Sequence, residues 1–233
     1  MKKIFFLAAC TFIAATSTQA QGFYIGVRGS AASTWLFNTN VSNAGNSLNY
    51  KAAFGYDYGL DLRMEFNEHV GILLNVLQGE HVQGYSGQIG TNGSISYTST
   101  NSLNELSIPL LFRYKSKGAY VEIGPEYQIV NSATYKNSMN PSAIDVSNYF
   151  ATSNIAAVLG FGVDSKLSDH LFLTAGLRFA YGLTDLKGVD GLGQNLSDPI
   201  AYPKYAPTNS AYGAFVIGLN YKFGKSEDAA ASK

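Results

Sequence analysis

Fourteen charged side chains sit on the phase of an alternating pattern that the large apolar residues avoid. The basic members are Arg28, Lys51, Arg63, Arg113, Lys115, Arg178 and Lys222; the acidic members are Asp57, Asp61, Glu65, Glu105, Glu122, Glu126 and Asp164. A charge taken out of water is costly unless it is paired and hydrogen-bonded. A balanced set on one face therefore points to an enclosed network of ion pairs, with a charge-lined water path as the alternative. Arg28, Asp57, Asp61, Arg63, Glu65, Arg113, Glu122, Glu126, Asp164 and Arg178 form the expected network. Arg113 and Glu122 lie a few residues either side of Ser116–Gly118, where a turn would set them at similar depth on adjacent strands, as a direct or diagonal cross-strand pair.

Catalysis would need a nucleophile, a base and an orienting acid within hydrogen-bond reach. Of the three histidines, His69 and His170 fall in short polar turns. His81 is expected near the outer rim, with Glu80 and Ser86 close in sequence, but neighbours at i±1 on a strand face opposite ways. We expect no enzyme; the rival reading is a rim enzyme acting on lipid or protein with His81 as base. Neither a metal nor another cofactor is expected: the single cysteine is Cys10, the histidines are scattered, and Asp185, Asp190 and Asp198 lack calcium-loop spacing. With 16 basic and 16 acidic residues, nothing suggests nucleic acid as a partner.

The elements that must position these charges show best between Tyr50 and Phe66. Tyr50, Ala52, Phe54, Tyr56, Tyr58, Leu60, Leu62, Met64 and Phe66 alternate with small or charged residues. Period two makes this one long strand with unlike faces. An eight-stranded cylinder is just wide enough to be filled by ordinary side chains, so rows of Phe and Tyr do not fit inside it. Placed outward, the same rows face lipid, and glycines and charges fill the interior, as in an outer-membrane barrel.

Seven further strands are expected: Gly22–Ala31, Val70–Val82, Leu103–Lys115, Ala119–Val130, Asn154–Lys166, Leu171–Thr184 and Ala211–Phe223. Tight turns at Asn67–His69, Ser116–Gly118 and Leu167–Asp169 alternate with long polar connections at Ala32–Asn49, Gln83–Ser102, Asn131–Ser153 and Asp185–Ser210. That asymmetry, short turns in the periplasm and long loops outside, is typical of such barrels. Pro109 and Pro125 interrupt strands that have no free edge, so bulges are expected there. The segment Gln83–Ser102 could extend its strands above the membrane as a ribbon that recruits a partner by strand addition. Trp35, Phe37, Tyr85, Tyr97, Tyr135, Tyr149, Phe150, Tyr202 and Tyr205 are either binding anchors or packing within the loops and girdle.

Met1–Lys3 and the apolar run Ile4–Ala15, followed by Thr18-Gln19-Ala20, read as an export signal over residues 1–20. Cleavage is placed between Ala20 and Gln21. The run Leu7-Ala8-Ala9-Cys10 resembles a lipoprotein box but leaves too short an apolar region before it. Losing Lys2 and Lys3 leaves two more acidic than basic residues among the 16 and 16 of the whole chain. The barrel is expected over residues 21–224 and a periplasmic tail over 225–233.

The segment Leu103-Asn104-Glu105-Leu106-Ser107-Ile108-Pro109-Leu110-Leu111-Phe112-Arg113-Tyr114, with Gly124-Pro125 in the next strand, resembles the PorT-like outer-membrane β-barrel family. Its pattern there is E-[IL]-P-L-L-x-[KR]-Y followed by G-P, from which this chain departs between Glu105 and Pro109, where Leu106, Ser107 and Ile108 stand in place of one residue. The resemblance implies an eight-stranded outer-membrane barrel; its name-giving member is associated with protein secretion to the cell surface, a role that does not transfer on fold alone. The reading is an all-β, eight-stranded antiparallel transmembrane barrel in the outer membrane, monomeric, with a plugged interior. It would act as a structural or surface-binding scaffold, or one for envelope assembly, through its loops, with a narrow channel or a PorT-like accessory of protein secretion as the remaining alternatives. Expected partners are outer-membrane lipid (lipopolysaccharide), the barrel-assembly machinery that reads the aromatic last strand ending at Phe223, and an extracellular or envelope protein.

Overall fold

The computed structural model describes residues 22–90, 93–188, 192–193 and 204–223. The expected signal, its cleavage point at Ala20/Gln21, the tail 225–233, Tyr202, Asp190 and Asp198 lie outside these residues. Ten strands are present among them. They are β1 (Gly22–Asn38), β2 (Leu48–Lys51), β3 (Gly55–Glu65), β4 (Val70–Ile89), β5 (Ile95–Ser116), β6 (Ala119–Asn137), β7 (Asn140–Asp145), β8 (Ser153–Lys166), β9 (Leu171–Gly182) and β10 (Thr208–Phe223). A one-turn helix α1 (Thr39–Ser42), capped by the Asn38 side chain, links β1 to β2.

Eight strands close a ring in the order β1, β3, β4, β5, β6, β8, β9, β10, with β10 returning to β1 from Phe23↔Phe223 to Asn38↔Thr208. Every pairing is antiparallel. Closure leaves the wall without an edge, which strands in hydrocarbon require. The outward phase carries Val27, Tyr58, Leu60, Leu110, Phe112, Ile123, Phe161, Phe179 and Phe215, all exposed, and the inward phase carries glycines, small residues and charges together with Tyr24, Leu73, Leu111, Tyr120 and Tyr212. Met64 keeps the outward phase, yet Phe23 and Ile72 flank it in register and it is covered.

Several wall strands are longer than the alternation alone predicts. β4, β5 and β6 run 20, 22 and 19 residues, against the ~9–11 that cross a bilayer. Their upper halves leave the membrane, and β2 and β7 join them there through β4 and β6. The result is an open sheet in the order β2, β4, β5, β6, β7 standing above the barrel, so much of the expected loop at Gln83–Ser102 is strand.

Two irregularities differ from expectation. The Tyr50–Phe66 strand is not continuous: Lys51 pairs with Gly84 and Tyr56 with Glu80, so the segment 52–55 carries one residue more than its partner. One extra residue reverses which way the chain faces. Lys51 is therefore exposed on the outside instead of joining the interior charges, and Tyr50 turns inward to bond the Asn38 backbone through its hydroxyl. Bulges are also absent at Pro109 and Pro125. The register is the same on both sides of each, as Ser107↔Gln128, Pro109↔Glu126 and Phe112↔Ile123 show. A missing N–H removes a bond without adding a residue. The bulge falls instead at Asn131, between Glu105↔Val130 and Asn104↔Ser132. Below it Glu126 and Gln128 face inward; above it Ala133, Tyr135 and Asn137 do.

Candidate functional site

The lumen is filled by three layers of polar side chains. In the layer near the periplasmic turns, Asp164 on β8 accepts from Arg63 (2.7 Å), Arg113 (2.8 Å) and Thr174 (2.7 Å). Glu65 accepts from Lys115 (3.1 Å) and from the Tyr24 hydroxyl (2.9 Å). Two guanidinium groups lie over tyrosine rings, Arg63 on Tyr24 at 4.0 Å and Arg113 on Tyr120 at 3.6 Å. Such stacking holds a charge in place without requiring another anion.

In the middle layer Arg28 pairs with Asp61 at 2.7 Å, and Arg178 pairs with Glu122 at 2.6 Å while also donating to Asn75. Arg113 and Glu122 are direct register partners, as the turn geometry implies, but their charges go elsewhere: Arg113 to Asp164, Glu122 to Arg178. Opposite backbones did not decide the ion pairs, because in a narrow lumen a long side chain reaches strands beyond its neighbour.

The upper layer centres on His81. Its Nε2 is 3.0 Å from Asp57 and its Nδ1 3.3 Å from Glu105, with the Tyr212 ring edge-on at 5.5 Å. An imidazolium, donating from both nitrogens, satisfies both carboxylates. Glu126 accepts from Tyr212 (2.7 Å) and Gln128 (2.7 Å), and the chain of bonds continues through Asn154 to Ser210 and Thr184. His81 is thus not a rim residue: it is 3 % exposed, inside the lumen, while Glu80 and Ser86 are on the other face of β4. A void of about 10 Å³ beside Arg28, Asp57, Arg178 and Tyr212 has about the volume of one water.

Above His81 the polar filling gives way to an apolar cap. Leu36, Leu48, Tyr85, Leu103, Tyr135, Phe150, Leu186 and Leu192 are buried against one another across the mouth of the barrel. Gly193, with φ +64°, lies where a Cβ would run into the Tyr85 ring. Its N–H donates to Asn101 (2.9 Å) and its carbonyl accepts from Ser99. Among the loop aromatics, Tyr85, Tyr97, Tyr135 and Phe150 are cap or wall packing, whereas Phe37, Tyr149 and Tyr205 remain exposed. The cap, and the inward tyrosines Tyr24, Tyr120 and Tyr212, escaped the sequence reading. The three tyrosines share the phase of Arg28, Glu122 and Lys222, which was the available signal.

Among the described residues no group of three His, Cys, Asp or Glu side chains is arranged to hold a metal ion. Outside the membrane, Asp185 accepts from the Lys187 and Thr208 amides, both at 2.9 Å or less, and from the Tyr205 hydroxyl. Burial pushes its carboxyl up, but these bonds outweigh it and hold the group below the ordinary aspartate value.

Comparison with known families matches residues 4–223 to the outer membrane protein beta-barrel domain. No curated protein matches the chain. Among solved structures it is similar to Neisserial surface protein A, at 13% identity and a TM-score of 0.41, covering 88% of this chain and 99% of that one. Others are OprG from Pseudomonas aeruginosa (15%, TM-score 0.44, 89% and 98% covered) and the outer membrane protease OmpT from Escherichia coli (9%, TM-score 0.40, 87% and 97%). Likeness at this level says nothing about what this chain does.

Proposed function

The chain belongs to the outer-membrane β-barrel family, and from that premise we propose that it is a non-conducting, non-catalytic scaffold presenting a sheet at the cell surface. The observation that carries this reading is the contrast between the two ends of β4, β5 and β6. Within the membrane the lumen they help enclose is filled by ion pairs, and an apolar cap covers its mouth. Above it the same strands continue as an exposed sheet. Against a channel stands the lack of room: eight strands enclose a space that side chains fill, and the charges there are paired. Against catalysis stands the position of His81, buried in the lumen and held by Asp57, Glu105 and the Tyr212 ring.

In planar bilayers the purified protein should show no stable conductance. Reproducible channels whose selectivity changes on Glu126→Lys or Arg178→Glu would replace this reading with that of a narrow pore. The resemblance of the Leu103–Tyr114 segment to PorT-like barrels supports a narrower version, in which the scaffold serves protein secretion. A pull-down of the intact barrel from native membranes tests it: co-purification of secretion components supports that role, and their absence removes it.

A further inference from the structure

On β4 and β5 the register is constant from Val70↔Tyr114 to Ile89↔Ile95, so one outward face runs unbroken from the membrane into the projecting sheet. Its lower part is apolar, with Val76, Leu110 and Phe112 exposed to lipid. It turns polar at Gln78 and Asn104, whose side chains bond each other at 2.9 Å on the outside. Six residues further along β4 is Gly84, which a rise of ~3.3 Å per residue places about 20 Å along the strand above that boundary, or about 15 Å in height after strand tilt.

At this level four residues form a row across four strands: Lys51 opposite Gly84, Gly84 opposite Thr100, and Thr100 opposite Lys136. A cleft of about 390 Å³ lies over the row. Gly84 and Thr100 are its floor and the two lysines flank it, about 14 Å apart over three strand spacings. A second hollow of about 330 Å³, shared at Thr98 and Ser138, extends it over Asn49 and Ser86. Neither hollow has an acidic lining residue. Among the described residues neither lysine takes part in an ion pair.

We infer that this face binds the saccharide part of lipopolysaccharide through its anionic substituents. Height and direction select that occupant: the face points sideways, along the membrane, at the level where the outer leaflet's lipid carries its sugars. The chemistry agrees, since hydroxyls and amides on a flat sheet match sugar hydroxyls and two ammonium groups match separated phosphates. The inference rests on the scaffold reading in taking the projecting sheet as the working surface.

The test uses the intact barrel in phosphatidylcholine nanodiscs, titrated with delipidated, phosphorylated lipopolysaccharide core oligosaccharide and with the same oligosaccharide after dephosphorylation. Lys51→Gln with Lys136→Gln should weaken binding of the phosphorylated form by about tenfold or more, equivalent to about 1.4 kcal/mol. Lys51→Arg with Lys136→Arg should stay within about twofold of the native protein, because the charge is kept. The dephosphorylated form should bind native protein no better than the double glutamine variant binds the phosphorylated one. Equal affinity of native and double glutamine proteins, absence of binding, or the same loss from Lys117→Gln in a periplasmic turn would overturn the inference. Failure here with a silent bilayer recording leaves the scaffold reading standing; conductance would remove that reading instead.

Discussion

Arg63 and Asp164 occupy equivalent places in two halves of the barrel and meet across the lumen at 2.7 Å. Each stands six residues before a turn histidine, His69 or His170. The strand pairs match in register, Met64↔Ile72 on β3 and β4 and Ser165↔Leu173 on β8 and β9. Each histidine bonds a backbone carbonyl through Nδ1 (Lys115 or Lys222, 3.0 Å) and stacks on the preceding outward tyrosine, Tyr114 or Tyr221. In a ring of eight, pairs four strands apart stand on opposite walls. Equivalent inward positions therefore aim at each other, and opposite charges turn that meeting into a lock. Asp164→Ala should cost about 3–5 kcal/mol in urea unfolding from lipid vesicles, because it strands two buried guanidinium groups. Exchanging the pair, Arg63→Asp with Asp164→Arg, should restore less than half of this, since Arg113 then faces an arginine. Full recovery would mean that Arg113 does not depend on Asp164.

The wall makes a second prediction. Leu60 is exposed midway along β3, so Leu60→Arg should reduce insertion by about 2–4 kcal/mol. Gly59 faces inward, and a Cβ there would run into the Val76 carbonyl on β4. Gly59→Ala should then insert but unfold about 1–3 kcal/mol more easily, as overpacking does. Insertion yield in vesicles separates the two; equal yields for both variants would contradict the outward assignment of Leu60.

How much of this was legible in the sequence follows from where period two survives. From Val70 to Val82 or Asn154 to Lys166 nothing interrupts alternation, and strand, facing and turn could all be read. A bulge erases that legibility beyond it, because one residue reverses every later side chain. Lys51 was assigned inward for this reason, and Tyr135 gave no sign of being part of a cap. The proline positions misled in the opposite sense, since a lost hydrogen bond leaves register intact. Charges on the inward phase were readable as a set, but not their partners: Arg113 and Glu122 share a register position and bond elsewhere.

The Asn131 bulge can be tested by removing it. Deleting Asn131 joins Val130, opposite Glu105, directly to Ser132, opposite Asn104, so regular alternation keeps Ala133 and Tyr135 inward. In the native protein a cysteine at Tyr135 should resist a membrane-impermeant maleimide, given that position's 1 % exposure. After the deletion it should remain protected while the barrel stays heat-modifiable on a gel. Ready labelling would show that Asn131 is not the extra residue and that the upper register shifts when it is lost.

Asp185 gives a pH dependence outside the membrane. Its carboxyl is held below the ordinary aspartate value, so its contribution is present above the unfolded pKa of about 3.9 and is lost as pH falls through the lower folded value. Protection of the Lys187 and Thr208 amides, which donate to it, taken relative to the intrinsic exchange rate at each pH, should be constant down to about pH 4 and fall below. Asp185→Asn should remove that acid step. An unchanged step in the variant would assign it to another carboxylate.

His81 carries the prediction on chemistry. The ring lies between Asp57 and Glu105, so His81→Ala leaves two carboxylates facing each other and should destabilise the barrel by several kcal/mol, about 3–5 for a buried pair broken on one side. Adding Asp57→Asn and Glu105→Gln neutralises that repulsion and should recover a large part of the loss. A structural residue and a catalytic base differ in what else changes. A base contributes about 10²–10⁴-fold in rate, so its removal would be visible in cells as an altered lipid A acylation pattern or altered processing of surface proteins. For the triple variant, still heat-modifiable and still in the outer membrane, both should match the native strain. A changed pattern with the barrel intact would make His81 a catalytic residue and end the scaffold reading.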